Sequence, residues 1–287
     1  METIMPVWPN NPYPAGLASL KWRNGWLGVL LVLVFSAGPA VADESWRDEV
    51  ARLNAGNFPP PPEFTARYVF GWSGLTAARA DVALRRGPGG RWEGKVRGAT
   101  TGPARALYRL DASYDTMIDQ RNWTTRETRL IEEFTRYSTD EKAEFRPGGV
   151  RSWRETTRRG AKPPRWKNFY VPGLRDIGAA LLLLRSQPLR DGDRFKVAVF
   201  PGQWMYLVTA RVEGREKLRW QGEMRDTIRL SLEIDWIDKK YQLRPHRKFH
   251  RGTVWASDDS LRMPLRVEVK VFVGHIFAEL EEMQTGS

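Results

Sequence analysis

Two clusters of carboxylates in this sequence have the residue types and spacing that chemistry could use. The first is Ser257, Asp258 and Asp259, which lie between two runs of alternating residues. Adjacent carboxylates can bind a divalent cation or divide the roles of acid and base. Ser and Asp also form turns by hydrogen-bonding to their own backbone, and a hairpin at this point needs such a turn. We therefore predict turn structure here, with an acid site as the alternative.

The second cluster is a row of aspartates in the segment DASYDTMID. Asp111, Asp115 and Asp119 fall on one face of a strand. A row of carboxylates could bind calcium or act on a glycosidic bond. The opposite face of the same strand is largely apolar, so the row also fits the solvated side of an amphipathic strand. We favour the solvated side, and keep as an alternative a glycan-active hydrolase that uses Asp111 and Asp115 or the acidic pair of the turn.

Histidine is scarce, with His246, His250 and His275 as the whole supply. His246 and His250 would share one face of a strand and could hold a metal with one carboxylate. Their immediate neighbours are cationic and would repel a metal ion. The sequence also contains no phosphate loop, dinucleotide fingerprint or nucleophile elbow. We predict no catalytic residue, no metal site and no cofactor.

A basic and aromatic segment from Arg151 to Gly173 is the most suggestive part of the sequence. Its seven cations face a single acid, and four aromatic residues are interleaved with them. Arginine forks match phosphate and carboxylate geometry, and aromatic rings suit acyl chains or sugar faces. A solvated hairpin would explain the charge but not the aromatic residues. We predict that ligand is bound by Arg154, Arg158, Arg159, Arg165, Trp153, Trp166 and Tyr170.

The N-terminus has the pattern of an export signal. Lys21 and Arg23 precede an apolar run, Trp26–Phe35, and an A-x-A site ends at Ala42. The pattern predicts a signal peptide over residues 1–42, cleaved after Ala42, and a periplasmic protein. An N-terminal anchor in the inner membrane is the alternative, because 19 residues before this point lack charge.

Composition narrows the class of partner. The chain has no cysteine, which excludes disulfides, thiolate metal sites and a lipid-modified N-terminal cysteine. Its formal net charge of +12 belongs mostly to the part that follows the signal and favours anionic partners. Export argues against nucleic acid. The candidate partners that remain are anionic lipids and acidic polysaccharides, and peripheral contact with the membrane surface is also possible.

Hydrophobic periodicity predicts a mainly β fold. Residues 43–62 form a polar lead-in and a proline-rich linker, in which four consecutive prolines exclude helix and strand interior. Beyond residue 62 apolar and polar residues alternate, as in Phe64–Trp72 and Leu265–Val273. This pattern is typical of antiparallel sheets with one wet face. We predict a single curved antiparallel sheet, or half-barrel, of about ten strands over residues 63–287.

One segment departs from the alternation. Residues 174–186 are apolar at too many consecutive positions for a half-exposed strand, and Pro172-Gly173 and Pro188 bound them. They predict a helix that is hydrophobic all round and therefore buried. The simplest place for it is the concave side of the curved sheet, which would wrap around it.

Several motifs resemble a family of exported bacterial proteins known as domain of unknown function 3108. The most specific are YRLD at Tyr108–Asp111, the helix that leads into LRSQPLRDGD, and W-x-SDD-x-x-R-x-P at Trp255–Pro264. The likeness spans Phe64–Leu280 as one domain. It implies a periplasmic or cell-surface β protein, and it brings no catalytic residues with it.

The sequence as a whole favours a non-enzymatic periplasmic envelope protein that binds a lipid or an anionic envelope polymer. In this hypothesis the concave face of the sheet accepts an apolar chain, and the basic hairpin meets anionic head groups. A structural scaffold in an envelope complex is the other alternative to the hydrolase.

Overall fold

The computed structural model describes residues 45–245, 251–271 and 274–286. The helices are α1 (Ser45–Arg52), α2 (Gly102–Leu107) and α3 (Ile177–Ser186). The strands are β1 (Phe64–Trp72), β2 (Leu75–Gly87), β3 (Arg91–Thr100), β4 (Leu110–Asp119), β5 (Thr124–Phe134), β6 (Ser138–Arg146), β7 (Gly149–Thr157), β8 (Arg165–Phe169), β9 (Arg194–Val199), β10 (Met205–Trp220), β11 (Glu223–Ile237), β12 (Leu243–Pro245), β13 (Arg251–Ser257), β14 (Pro264–Lys270) and β15 (His275–Thr285). The predicted signal peptide lies outside the described residues. Within them, no helix has the length and apolar character needed to cross a bilayer.

All fifteen strands belong to one antiparallel sheet. Fourteen follow the order β8-β7-β6-β5-β4-β3-β2-β1-β15-β14-β13-β11-β10-β9, and β12 pairs only with β11. The sheet is not closed, because β8 and β9 are its two edges. The prediction of a mainly β, antiparallel fold is confirmed, but the count of about ten strands is wrong. Short or charged strands such as β6 and β8 have too few apolar residues for alternation to reveal them.

Helix α3 packs on one face of the sheet, which we call the inner face. Ala179 and Leu183 are fully buried and belong to the same apolar cluster as Trp92 of β3 and Ile118 of β4. The opposite side of the helix faces solvent at Leu181, which is 45% exposed. The interior next to α3 is therefore filled by side chains.

The predicted helix over 174–186 is wrong in two respects. The helix starts later than residue 174, and it is not buried on all sides. The backbone of Arg175 is extended: its N–H donates to the Ala198 carbonyl (3.0 Å), and its carbonyl accepts from Phe200 N–H (2.8 Å). The helix begins only at Ile177 because Asp176 is its N-cap. Apolar Leu174 is buried in this extended segment, so its hydrophobicity does not indicate a helical conformation.

Asp176 connects the start of α3 to two strands. Its carboxylate accepts hydrogen bonds from Tyr114 Oη of β4 (2.9 Å) and Thr125 Oγ1 of β5 (2.6 Å). It also accepts from the backbone N–H groups of Gly178 and Ala179, each at 3.1 Å. The side chain is fully buried, so these four donors take the place of water.

Arg175 connects the same segment to the turn between β4 and β5. Its guanidinium donates to the carbonyls of Trp123 (3.0 Å), Gly173 (2.8 Å) and Asn122 (3.4 Å). Burial lowers its pKa to about 10, so it stays charged at neutral pH. We call Arg175 and Asp176 the charge clasp, because together they join β4, β5 and the β9 edge to α3.

The segment before β1 lies against the sheet. Trp46 and Val50 of α1 are buried in an apolar cluster that also contains Phe200. Nearer to β1, the Phe58 ring lies under two guanidinium groups, 5.0 Å from Arg185 and 3.4 Å from Arg262. These contacts attach residues 45–62 to the rest of the fold.

The one-sided burial of α3 can be tested with two leucines of the same helix. We expect Leu183→Ala to lower the free energy of unfolding by about 2–5 kcal/mol, because it leaves a cavity in the filled interior. Leu181→Ala is the matched control and should change this free energy by less than about 1 kcal/mol. Urea denaturation of both variants measures the difference. Equal losses would contradict the placement of the helix.

Candidate functional site

The basic segment forms a hairpin at one edge of the sheet. Strands β7 and β8 pair over five positions, from Val150 opposite Phe169 to Arg154 opposite Arg165, without a bulge. On its other side β7 pairs with β6, whereas β8 has no further neighbour in the described sheet. We call Gly149–Phe169 the edge hairpin. Residues 158–164 are the turn at its tip.

Five cations of the edge hairpin are exposed and form no salt bridge in the described residues. They are Arg158, Arg159, Lys162, Arg165 and Lys167. Within the described ranges, none of them has a carboxylate oxygen within the 4.0 Å that defines a salt bridge. The hairpin therefore presents a local excess of positive charge to solvent.

Aromatic residues lie in the edge hairpin and immediately after it. The Trp166 ring has the Arg151 guanidinium 3.9 Å from its centroid and is nevertheless 40% exposed. Trp153 lies opposite Trp166 in the register and is covered by the Lys142 ammonium at 5.2 Å. Tyr170, immediately after β8, is 67% exposed. Trp166 and Tyr170 thus offer amphipathic rings at the surface, while Trp153 is half-buried.

Arg154 differs from the other predicted ligand-binding residues because it points inward. Its Nη1 donates to Glu141 Oε2 at 3.2 Å, and its side chain is 21% exposed. Arg158, Arg159 and Arg165, in contrast, are exposed on the edge hairpin. The structure assigns Arg154 to the boundary between this exposed surface and the interior.

Two buried glutamates lie on the inner face of β5 and β6, and the sequence analysis missed them. Glu132 is fully buried and accepts from Thr139 Oγ1 at 3.0 Å. Glu141 is 3% exposed, and its Oε1 has no hydrogen-bond partner in the described structure. Gly202 lies against this oxygen with a positive φ of 136°, so a larger residue there would be strained and would displace the Glu141 carboxyl. One signal in the sequence could have revealed Glu132: it lies two residues after apolar Leu130 on β5 and therefore on the same, inner face.

The environment of Glu141 favours its protonated form. Burial raises the pKa of Glu141 to about 7, while the Arg154 guanidinium acts in the opposite direction. The charge of Glu132 adds to the increase. Glu141 is thus a buried carboxyl that exchanges its proton close to neutral pH.

Ser257, Asp258 and Asp259 lie where β13 ends and the chain turns toward β14. Asp259 Oδ1 accepts from Ser257 Oγ (2.8 Å) and from the backbone N–H groups of Leu261 (2.8 Å) and Arg262 (3.0 Å). Asp258 faces Arg215 at 3.5 Å. One oxygen of Asp259 therefore organises the turn, and Asp258 forms a surface ion pair.

The aspartate row of β4 is paired with arginines. Asp111 is 2.8 Å from Arg105, whose hydrogen bond lowers the pKa of that carboxyl. Asp115 and Asp119 have arginine partners at 3.0 Å and 2.8 Å. Asp111 also lines an open, shallow groove of mixed charge on the outer face. Arg126 likewise lowers the pKa of Asp119, and a lowered pKa at Asp111 and Asp119 does not suit a general acid.

Metal ligands are not clustered in the described part of the chain. There, no group of three or more His, Asp or Glu side chains is arranged to hold an ion. His275 begins β15, with its ring 6.4 Å from that of Phe277. His246 and His250 lie outside the described residues.

The buried carboxyl of Glu141 should make stability depend on pH. Its pKa is raised from 4.5 to about 7 in the folded state, so the folded protein binds more protons than the unfolded chain between these values. The contribution, about 3 kcal/mol for a shift of this size, is complete below about pH 4.5 and is lost as the pH rises through 7. We expect Glu141→Gln to remove this dependence in urea denaturation between pH 5 and 8, relative to the wild type.

The exposed Glu133 of β5 supplies the control. Glu133→Gln should leave the pH dependence as it is in the wild type, because Glu133 points to the outer face. If the wild type and Glu141→Gln lose stability in parallel as the pH rises, Glu141 is not the titrating group.

Comparisons with solved structures support the fold. A beta-barrel-like protein of domain of unknown function DUF1849 from Brucella abortus matches with a TM-score of 0.53 and 10% identity, covering 80% of this chain and 100% of that chain. The hypothetical lipoprotein YmcC from Escherichia coli matches with a TM-score of 0.29 and 11% identity, covering 84% of this chain and 90% of that chain. The first likeness concerns the fold alone, and the second is too distant to support an argument.

Comparison at the level of sequence identifies the family. No curated protein matches this chain. Residues 63–281, however, match the family described as protein of unknown function (DUF3108). This region begins just before β1, ends within β15, and includes the edge hairpin, α3 and the charge clasp. The family suggested by the YRLD and W-x-SDD motifs is thereby confirmed: the chain belongs to the DUF3108 family.

Proposed function

We propose that this protein is a non-enzymatic protein of the bacterial cell envelope that binds anionic lipid at the edge hairpin. One observation supports the proposal above all: five exposed cations of the edge hairpin have no carboxylate oxygen within 4.0 Å in the described residues, and the rings of Trp166 and of the adjacent Tyr170 are also exposed. The export pattern that ends at Ala42 supports a periplasmic location, in which the hairpin makes peripheral contact with a membrane surface.

The energetics of such a contact are sufficient for reversible binding. A Lys or Arg side chain near an anionic lipid surface contributes about 1 kcal/mol, and the attraction declines within a Debye length. Five cations therefore supply on the order of 5 kcal/mol at low salt. Tyr and Trp rings prefer the boundary between head groups and acyl chains, which suits the half-exposed Trp166.

The interior of the sheet favours surface binding over enclosure of an apolar chain. Leu183 and Trp92 are fully buried where α3 meets the sheet, so side chains occupy the place that the sequence hypothesis gave to a lipid tail. The ligand's charged head group is then the part that the protein recognises.

The observations favour binding over hydrolysis. Acid catalysis requires a carboxyl that is protonated at the working pH and reaches the substrate. Asp111 is held ionised by Arg105, and Asp259 organises a turn. Glu141 has the raised pKa but is 3% exposed.

Vesicle binding tests the proposal with charge-matched variants. Arg158→Glu combined with Lys162→Glu should weaken binding to vesicles that contain about 30% phosphatidylglycerol by at least about ten-fold at low salt, because attraction becomes repulsion. The control, Lys95→Glu with Arg219→Glu, makes the same change in net charge at exposed positions outside the hairpin. It should weaken binding by less than about three-fold. Co-sedimentation with the vesicles measures both.

Two results would overturn the proposal. One is an equal loss of binding in both double variants, which would mean that net charge alone attracts the protein. The other is binding to a soluble acidic polysaccharide, such as polygalacturonate, with no binding to the vesicles.

A further inference from the structure

In the described structure, the rest of the chain covers one edge of the open sheet and leaves the other edge uncovered. At β9, the extended Arg175 exchanges backbone hydrogen bonds with Ala198 and Phe200. Helix α1 also reaches this strand, where Glu49 lies 2.6 Å from Lys196. The β9 edge is therefore covered by the protein itself.

The β8 edge is open in the described structure. Four of its five residues are exposed, and Phe169 is half-buried. Its register with β7 is regular over all five pairs. Because one side of β8 pairs with β7, the backbone N–H and C=O groups of its other side point away from the sheet. Such an edge is a template for one more strand.

The edge lacks two of the devices that usually block strand addition. Prolines and bulges are common blocks, but Pro163 and Pro164 precede β8 and Pro172 follows it. No bulge interrupts β8. A third device, charged side chains on the edge strand, is present as Arg165 and Lys167. They repel a second copy of the same strand, since pairing two β8 strands would bring like charges together.

We propose that β8 accepts an additional strand from a partner protein, namely an extended segment in which acidic and apolar residues alternate. Main-chain hydrogen bonds hold such a strand, and the side chains of β8 select it. The partner segment is expected to be acidic because Arg165 and Lys167 form no salt bridge in the described residues and can pair with its carboxylates.

The alternation follows from the register of the edge hairpin. Arg165 and Lys167 lie opposite Arg154 and Ser152 and share their face of the sheet. Trp166 lies between them in sequence and faces the other side, where it is 40% exposed. A strand paired with β8 then places acids two residues apart beside the cations. The residue between these acids lies beside the Trp166 ring, where an apolar side chain fits.

This interaction goes beyond the proposed lipid binding and is separable from it. Vesicle binding depends on the charges of the hairpin and uses no backbone group of β8. Strand addition depends on those backbone groups, so either proposal can fail while the other succeeds.

Synthetic peptides test strand addition directly. The probe is a fluorescein-labelled peptide of about seven residues in which Glu and Leu alternate. Two derivatives carry N-methyl groups, one on the Glu amides and one on the Leu amides, which removes donors without changing charge. Successive backbone amides of a strand point to opposite sides, so only one of these sets can face β8. Fluorescence anisotropy with the purified protein should show at least about ten-fold weaker binding for one derivative and little change for the other.

Hydrogen exchange locates the bound peptide and completes the test. The unmodified peptide should slow amide exchange in residues 165–169. A peptide of the same composition with its Glu residues grouped at one end should bind at least about ten-fold more weakly. Equal binding of both N-methylated derivatives would overturn the proposal, since charge alone would then explain the affinity. Absence of binding by the alternating peptide would overturn it as well.

Discussion

Two adjacent buried charges hold this open sheet in one arrangement. A buried charge is costly unless hydrogen bonds replace the water that it loses. Asp176 obtains four donors from β4, β5 and the first turn of α3, and Arg175 donates to three backbone carbonyls. These partners converge only when the β4–β5 turn, the β9 edge and α3 are all in place. The charge clasp therefore fixes the relative position of parts that the sheet's own hydrogen bonds do not join.

The same packing determines where a ligand can be recognised. Side chains of α3 fill the inner face beside it, which leaves the outer surface and the edges. Much of the surface charge is paired, as for Arg97 with Asp115 and Arg126 with Asp119. The edge hairpin is different because, among the described residues, its exposed cations form no salt bridge. It is fixed to the interior through Arg154 and the buried Glu141, so a charged, ordered surface is presented at the end of the sheet.

Sequence alone predicted the strands whose inward residues are apolar. The alternation that begins at Phe64 does fall in a strand, β1, and its first apolar residues Phe64 and Ala66 are buried as predicted, whereas Trp72 at the other end is 45% exposed. The sequence pattern did not show that apolar Leu174 belongs to an extended segment, nor that Asp176 is the N-cap at which the helix starts. The buried Glu141 was missed because alternation assigns charged residues to the wet face. Whether a cation is paired depends on strand neighbours, and hence on a register that the sequence does not display.

Hydrogen exchange of an Asp176→Ala variant tests the role of the charge clasp most directly. The account predicts that amides in α3 and in the β4–β5 turn exchange at least about ten-fold faster under native conditions. Amides of β1 and β15, which do not contact Asp176 through a hydrogen bond, should change by less than about two-fold. Unchanged exchange in α3 would contradict the account. So would an equal acceleration in α3, β1 and β15, because the clasp would then add stability without positioning the helix.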